Sequence, residues 1–440
     1  MTVDARLKTF KEAYSNLKLR PLREEKELNR FRVEYGRRVL TELRQLIDDD
    51  DETEDGKTIF SGHRGCGKST LLAEFGRQCE ADGFFVVFFS IADTIEMSDV
   101  DHEMSDVDHI NTLFAIAVNL MEEAEKASVT ISESAKKAFR EWFATRTQTQ
   151  IDETSVGGEF GFDLFQRIKN TLKVSSTIRQ ELRQEFERKT VDLVAQINAI
   201  AAAIQSATNK PLLVIIDDMD KLDLALVRNL YYNHIKTLFL PGIRIIYTTP
   251  VAALRDKQLQ SMMISETDNQ IVEMPVAKLF KQADSRQDKA EPVMENQTKL
   301  CEILNRRIPA ELMETGIADA IMLKSGGVLR ELIRLANKCC RLCLQQLRQP
   351  DADANLMIGQ EIFEQAVTDI RLDYEAPLGK ADYEILKTTY ESYRPDDPEA
   401  QKFLDLLHTL HVLKYRNGDI WYDLHPIVAD LLRRKKMIEA

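Results

Sequence analysis

Gly62-His63-Arg64-Gly65-Cys66-Gly67-Lys68-Ser69 is the stretch on which the reading of this chain turns. It matches GxxxxGK[ST], a loop whose backbone N–H groups wrap phosphate oxygens at a helix N-terminus, where unsatisfied amides and the helix dipole favour negative charge. The flanks agree with that reading. Thr58-Ile59-Phe60 reads as strand, and Ser69 to Cys79 as helix, with Leu71, Leu72 and Phe75 at helical spacing on a buried face. Glycine is required because phosphates approach such a backbone closely. Lys68 would reach the β- and γ-phosphates of a nucleotide, and Ser69 would ligate magnesium, with Thr70 beside it. The candidate nucleotide-binding residues are therefore Gly62, His63, Arg64, Gly65, Cys66, Gly67, Lys68, Ser69 and Thr70. Glycine makes up only 17 of 440 residues, so the motif is not a by-product of a glycine-rich chain.

A second motif supports the first. Lys210-Pro211-Leu212-Leu213-Val214-Ile215-Ile216-Asp217-Asp218-Met219-Asp220-Lys221 is an apolar strand, too hydrophobic to be wet on either face, that runs into carboxylates. This is a Walker B pattern. Parallel strands open their carboxyl ends onto the ligand crevice, so Asp217 is the candidate magnesium ligand and Asp218 the candidate catalytic base facing the attacking water. A third segment, Gly242 to Pro250, is a short β-branched strand ending in Thr248-Thr249-Pro250. Thr248 and Thr249 are the candidates there for orienting water or sensing the γ-phosphate; alone, such an ending reads more often as only a strand stop.

With these three motifs the chain resembles the additional-strand P-loop ATPases: the AAA+ class, its origin-recognition relatives, and the STAND and KAP branches. The resemblance spans roughly Thr58 to Phe280. Asp217-Asp218-Met219-Asp220-Lys221 is similar to the Asp-Asp-hydrophobic-Asp signature of the STAND and KAP branches. It implies an α/β three-layer sandwich around a parallel sheet of order 5-1-4-3-2, with ATP and Mg2+ as cofactors. Candidate strands are Thr58–Phe60, Phe84–Ser90, Leu212–Asp217, Ile243–Thr248 and Ile271–Met274. Asp218 stands where most AAA+ enzymes carry Glu, one methylene longer, so the resemblance implies slow hydrolysis.

The remaining organisation follows from composition and spacing. An N-terminal helical arm, Leu17 to Leu46, rich in arginine, and an acidic linker, Asp48 to Asp55, occupy residues 1–55. The arm either crosses the nucleotide site or a neighbouring subunit, or presents a solvated face. The ATPase core is expected over 56–280, with a helical insertion at about 91–209 that is far longer than a crossover helix requires. That insertion begins with an exact duplication, Glu96 to His102 repeated as Glu103 to His109, read as a loop insertion in preference to a cation site. It also holds a glycine cluster, Gly157 to Gly161, and a long helix from about Ser176 to Ser206, whose Arg179, Arg183 and Arg188 are either surface pairs or trans-acting arginines. Cys339, Cys340 and Cys343 have no nearby histidine in sequence and read as buried thiols on a helix, not as a metal site.

Beyond Phe280 a helical lid is expected over 281–372, with helices at Glu291–Ile308, Pro309–Ala318 and Val328–Gln349. Gly326-Gly327-Val328-Leu329-Arg330 looks like the sensor 2 region of origin-recognition and STAND lids, which implies that Arg330 points at the γ-phosphate. Residues 373–440 read as a winged helix: two helices, a hairpin across Arg416-Asn417-Gly418-Asp419, and a closing helix with Arg433-Arg434-Lys435-Lys436. The STAND resemblance implies that this domain packs on the nucleotide and that His425 contacts the ADP phosphates.

The chain carries 59 basic against 72 acidic residues, net −13, which argues against a chain-wide nucleic-acid surface. The expected reading-helix stretch, Glu399 to His408, is nearly neutral, so DNA stays possible but is not favoured. With no ~20-residue apolar run and no apolar N-terminal centre, a cytoplasmic chain with no membrane partner is expected. Three functions stand: a switch ATPase coupling nucleotide state to homo-oligomerisation or to an effector protein, with bacterial signalling or phage defence as the association the resemblance brings; a DNA-loading ATPase; and a nucleotide-binding scaffold without turnover.

Overall fold

The computed structural model describes residues 2–48, 55–95, 107–129, 131–132, 184, 189–287, 290–417 and 419–439. It divides into two compact units: Val39–Ser61 with Leu72–Val272, and Met1–Arg38 with Gly62–Leu71 and Glu273–Ala440. Asp49 to Glu54 of the acidic linker, Glu96 to Asp106 of the duplication, the Gly157–Gly161 cluster, and Arg179, Arg183 and Arg188 lie outside the described residues.

The first of these units is built on five strands: β1 (Lys57–Gly62), β2 (Phe85–Ser90), β3 (Leu212–Asp217), β4 (Arg244–Pro250) and β5 (Ile271–Met274). Their order is β2-β3-β4-β1-β5, the expected 5-1-4-3-2 counted from the other edge. This is the α/β sandwich of the additional-strand P-loop fold. The strand leading into the loop and the strand leading into the carboxylates are separated by β4. β2 and β3 run parallel in register from Phe85 opposite Leu212 to Ser90 opposite Asp217, and β4 pairs parallel on the far side of β3.

The sheet is central because its strands are apolar on both faces. Every residue of β1, β3 and β4 is buried. Each of Leu212 to Ile216 contributes about 1.5–3 kcal/mol by leaving water, so a strand of this composition is stable only when covered on both sides. Helices His109–Lys126 and Thr190–Thr208 supply cover beside β2 and β3. The second copy of the duplication ends in a structural role: Asp108 Oδ1 accepts from Asn111 N at 2.8 Å and caps the first of these helices.

The other unit is helical, with a hairpin near its C-terminus. The arm expected as one helical stretch from Leu17 to Leu46 is two helices, Glu25–Phe31 and Arg37–Asp48, the second running past Arg38 into the sheet unit, and a further helix, Val3–Asn16, precedes it. Pro21 and Gly36, the latter at φ +84°, fall in the breaks, where a helix cannot continue. Pro309–Ala318 is also not one helix. A 3-10 turn at Ala310–Leu312 is followed by Met313 bridging to Ile358, and the helix Ile317–Lys324 starts only after Gly316 turns at φ +86°. Helices Met294–Asn305 and Leu329–Gln346 stand near their expected places, while Gln360–Glu375 was not anticipated and runs across residue 372. Lys380–Ser392, Gln401–His408, the hairpin β6 (Val412–Asn417) with β7 (Asp419–Leu424), and Pro426–Arg434 complete the chain. Gly418, at the hairpin turn, lies outside the described residues. Cys339, Cys340 and Cys343 are buried free thiols, and burial raises all three pKa values.

Candidate nucleotide-binding site

The phosphate loop leaves β1 at Gly62 and enters the helix Lys68–Ala81. Gly65 sits at φ +84°, and a Cβ there would lie 2.4 Å from Arg330 Cβ, so both backbone conformation and space demand glycine. Gly62 faces a similar limit, since a Cβ would meet the Met274 carbonyl oxygen at 2.6 Å. Lys68 Nζ donates to the carbonyl oxygens of Gly62 and His63, both at 2.8 Å, and so spans the loop it belongs to. Cys66 is buried with its sulfur 3.9 Å from Met274 O, which makes it a small packing residue in a tight loop. Ser69 is half-buried on the first helical turn, and Thr70 Oγ1 accepts from Leu22 N at 3.1 Å, a link to the N-terminal arm.

Two segments from later in the chain are fastened to this loop within the same unit. Arg330 N, at the start of the helix Leu329–Gln346, donates to Gly65 O at 2.9 Å. Lys414 N, in β6, donates to His63 Nε2 at 2.8 Å, and Lys414 Nζ pairs with Glu273 at 2.7 Å. His63 is pulled down to about 3 by burial, with the charges of Lys68 and Lys414 adding to the effect. The imidazole is therefore neutral, with Nε2 as acceptor. Burial also lowers the Arg330 pKa, with the nearby Arg64 charge contributing.

His425 belongs to the same unit, with its ring 3.5 Å from where a Cβ on Gly326 would stand. It is fully buried, its Nδ1 accepts from Ile427 N at 3.3 Å to cap the helix Pro426–Arg434, and its ring stacks on Tyr374 at 4.9 Å. Burial, followed by the neighbouring His411, pulls its pKa down to about 3.

The carboxylate half lies in the sheet unit. β3 ends at Asp217, and Asp218 turns into the left-handed region at φ +71°, a conformation Asp tolerates better than most residues at the cost of local strain. Ser90 Oγ donates to Asp218 Oδ2 at 2.6 Å, and Lys221 pairs with Asp218 Oδ1 at 2.5 Å. Asp217, Asp218 and Asp220 are all buried, with carboxylate oxygens within 4.8 Å of one another. An all-oxygen set of this kind suits a hard divalent cation such as Mg2+; among the described residues it is the one group of three potential ligands. Thr248 Oγ1 accepts from Met219 N at 3.0 Å and donates to Ile216 O at 3.2 Å, so its hydroxyl holds the backbone on both sides of the two acids. Tyr231 OH donates to Thr248 O at 3.1 Å, and Ser61 Oγ to Thr249 O at 3.2 Å. Ser90, Lys221 and Tyr231 escaped sequence reading. Ser90 had one usable signal, as the hydroxyl ending the strand that precedes the insertion.

No family model and no curated protein matches the sequence. Among solved structures the chain is similar to the Aeropyrum pernix ORC2 protein in ADPNP–ADP complexes, at 11% identity over 92% of this chain and 96% of that one, with a TM-score of 0.42. The Aeropyrum pernix ORC1 protein in complex with DNA gives 11% identity over 92% and 94%, with a TM-score of 0.39. The Thermotoga maritima RuvB Holliday junction branch migration motor gives 14% over 95% and 98%, with a TM-score of 0.37. The fold assignment stands on the strand order and the loop.

Proposed function

We propose that the chain is an ATP-binding switch with slow ATPase activity, in which the nucleotide state of the loop controls the C-terminal segments and, through them, self-association or an effector protein. The observation that supports it is the pair of contacts made by the phosphate loop itself: Gly65 O receives Arg330 N, and His63 receives Lys414 N. Any rearrangement of the loop backbone around phosphates would disturb both contacts.

In this reading the loop amides and Lys68 bind the phosphates, and Ser69 with Asp217 holds Mg2+. The cation, when bound, supplies charge neutralisation for the phosphoryl oxygens. Asp218 accepts a proton from the attacking water, Ser90 and Lys221 orient its carboxylate, and Thr248 fixes the turn that carries it. Lys68 leaves its two carbonyl partners for the phosphates. His425, capping a helix under Tyr374, supports the C-terminal fold from within.

The DNA-loading alternative is not supported by the hairpin domain. Its closing basic run is partly neutralised, Arg433 by Asp430 at 3.3 Å and Lys435 by Glu375 at 2.7 Å, which leaves less positive charge for a phosphate backbone. The test is nucleotide binding and phosphate release by the full chain. Lys68→Ala is expected to lose Mg·ATP binding, while Asp218→Asn keeps it and loses turnover by at least about 100-fold, the scale of a lost general base. Turnover in Asp218→Asn equal to the parent would refute the base assignment, and binding without turnover in the parent would leave a scaffold.

A further inference from the structure

Arg286 sits near the tip of a loop and fills a cage built by the C-terminal segments of its unit. Its guanidinium carbon lies 3.7 Å from the centre of the Tyr390 ring and 3.8 Å from that of Tyr393. Its Nη2 donates to Asp423 Oδ1 at 3.2 Å, while its Nε is buried with no hydrogen-bond partner. Two aromatic rings and one carboxylate suit a broad, weakly hydrated cation, which the rings attract through their quadrupole and the acid through its charge. Burial raises the Asp423 pKa and the Arg286 charge opposes that shift, so the acid is matched to a cation.

The cage takes its shape from its own domain. Tyr390 OH accepts from Arg433 at 3.2 Å, and Tyr393 O accepts from Tyr422 N at 2.9 Å. Trp421 meets the Tyr393 ring edge-on at 5.5 Å, and Asp423 Oδ1 also accepts from Leu424 N at 2.9 Å. Tyr393 stands at φ +57°, a strain that a bulky residue bears only where its surroundings impose it. The loop is held more lightly. Val293 N donates to Leu279 O at 2.7 Å and closes its base, and no apolar side chain is buried between Lys281 and Gln287. Beside Arg286, Ser285 Oγ reaches the cage by a 2.8 Å hydrogen bond with Tyr393 OH.

We propose that this cage is a recognition site for the arginine side chain of a polypeptide partner, with Arg286 as its resting occupant. The proposal goes beyond the nucleotide reading and does not rest on it. Arg286 is gripped by its guanidinium, so the cage reads a side chain and not the charged ends of a free amino acid. A partner's arginine replaces, contact for contact, what the loop gives up. The loop then leaves on its closed base, and the tie between the segment entering the helix Met294–Asn305 and the hairpin β6–β7 is released.

Fluorescence titration of the full chain tests this in a Trp142→Phe background, where Trp421, packed on Tyr393 and Tyr415, is the remaining tryptophan. The probes are Nα-acetylarginine amide, which presents the side chain as a polypeptide does, Nα-acetyllysine amide and free arginine. Arg286→Ala should bind the capped arginine saturably at about millimolar concentration. The chain that keeps Arg286 should bind it at least about tenfold more weakly, because its own arginine competes from a tethered position. Capped lysine should bind Arg286→Ala at least about fivefold more weakly than capped arginine, since an ammonium has no planar face to lay on a ring. Asp423→Asn added to Arg286→Ala should weaken capped arginine about tenfold. Should Arg286→Ala fail to fold, Arg286→Gln takes its place with the same expectations. The absence of a saturable response in a folded variant, equal binding with and without Arg286, or equal binding of capped lysine would overturn the proposal. Free arginine binding tenfold or more tightly than the capped form, as a rough threshold, would also overturn it, by pointing to a small amino-acid ligand in place of a polypeptide.

Discussion

At the scale of single residues, the phosphate loop is constrained more tightly than its motif requires. Gly65 must accept a positive φ and also admit the Arg330 side chain, whereas Gly83, at φ +97°, has nothing within 4 Å of an added Cβ. The two positions separate strain from crowding. Gly83→Ala is expected to cost roughly 1 kcal/mol, the ordinary penalty for a left-handed non-glycine residue. Gly65→Ala should cost about 1–3 kcal/mol more, because Arg330 must move, and should reduce nucleotide affinity as well. Denaturant unfolding of the two variants side by side checks this, and equal losses would show that the Arg330 contact is not tight.

At the scale of elements, the turn after β3 is held from β4. Thr248 is expected from sequence to face water or a phosphate; in the structure its hydroxyl spans the backbone of β3 from Ile216 O to Met219 N. Thr248→Val keeps shape and β propensity but leaves the Met219 N–H without its acceptor. The expected loss is about 1–3 kcal/mol of stability in the absence of nucleotide, with Thr248→Ser restoring most of it. A variant as stable as the parent, but impaired only in turnover, would return Thr248 to a purely catalytic role. The sequence pattern could place the strand end and the hydroxyl. It could not show where the hydroxyl points, because that depends on the β3–β4 register, Leu213 opposite Arg244 through Ile216 opposite Tyr247.

At the scale of the whole molecule, several buried histidines link folding to pH. His63 and His425 are each held neutral with pKa values pulled down to about 3, and burial pulls His411 down as well. In the unfolded chain these groups titrate near pH 6.5. A lowered folded-state pKa means that their contribution is intact above about pH 6.5 and is lost as pH falls toward the folded value. Between those two values stability should decline by about 1.4 kcal/mol per pH unit for each of His63 and His425. Chemical denaturation from pH 7 to pH 4 checks the slope, and His63→Gln should make it shallower by one group; a flat profile would contradict the buried neutral state.

The sequence by itself determined the sheet strands, the phosphate loop and the strand-end acids, because continuous β-branched runs and a glycine-spaced lysine are local patterns with few alternative structures. It did not determine the break-up of the N-terminal arm, the 3-10 turn at Ala310–Leu312, or the helix Gln360–Glu375. Nor could it place Lys414 on His63, 351 residues away, and it brought Arg330 toward the nucleotide only through the family resemblance, not to its seat on Gly65. Those contacts join positions with no local pattern in common. Only the packing of the C-terminal segments onto the loop decides which hydrogen-bond donors meet which acceptors.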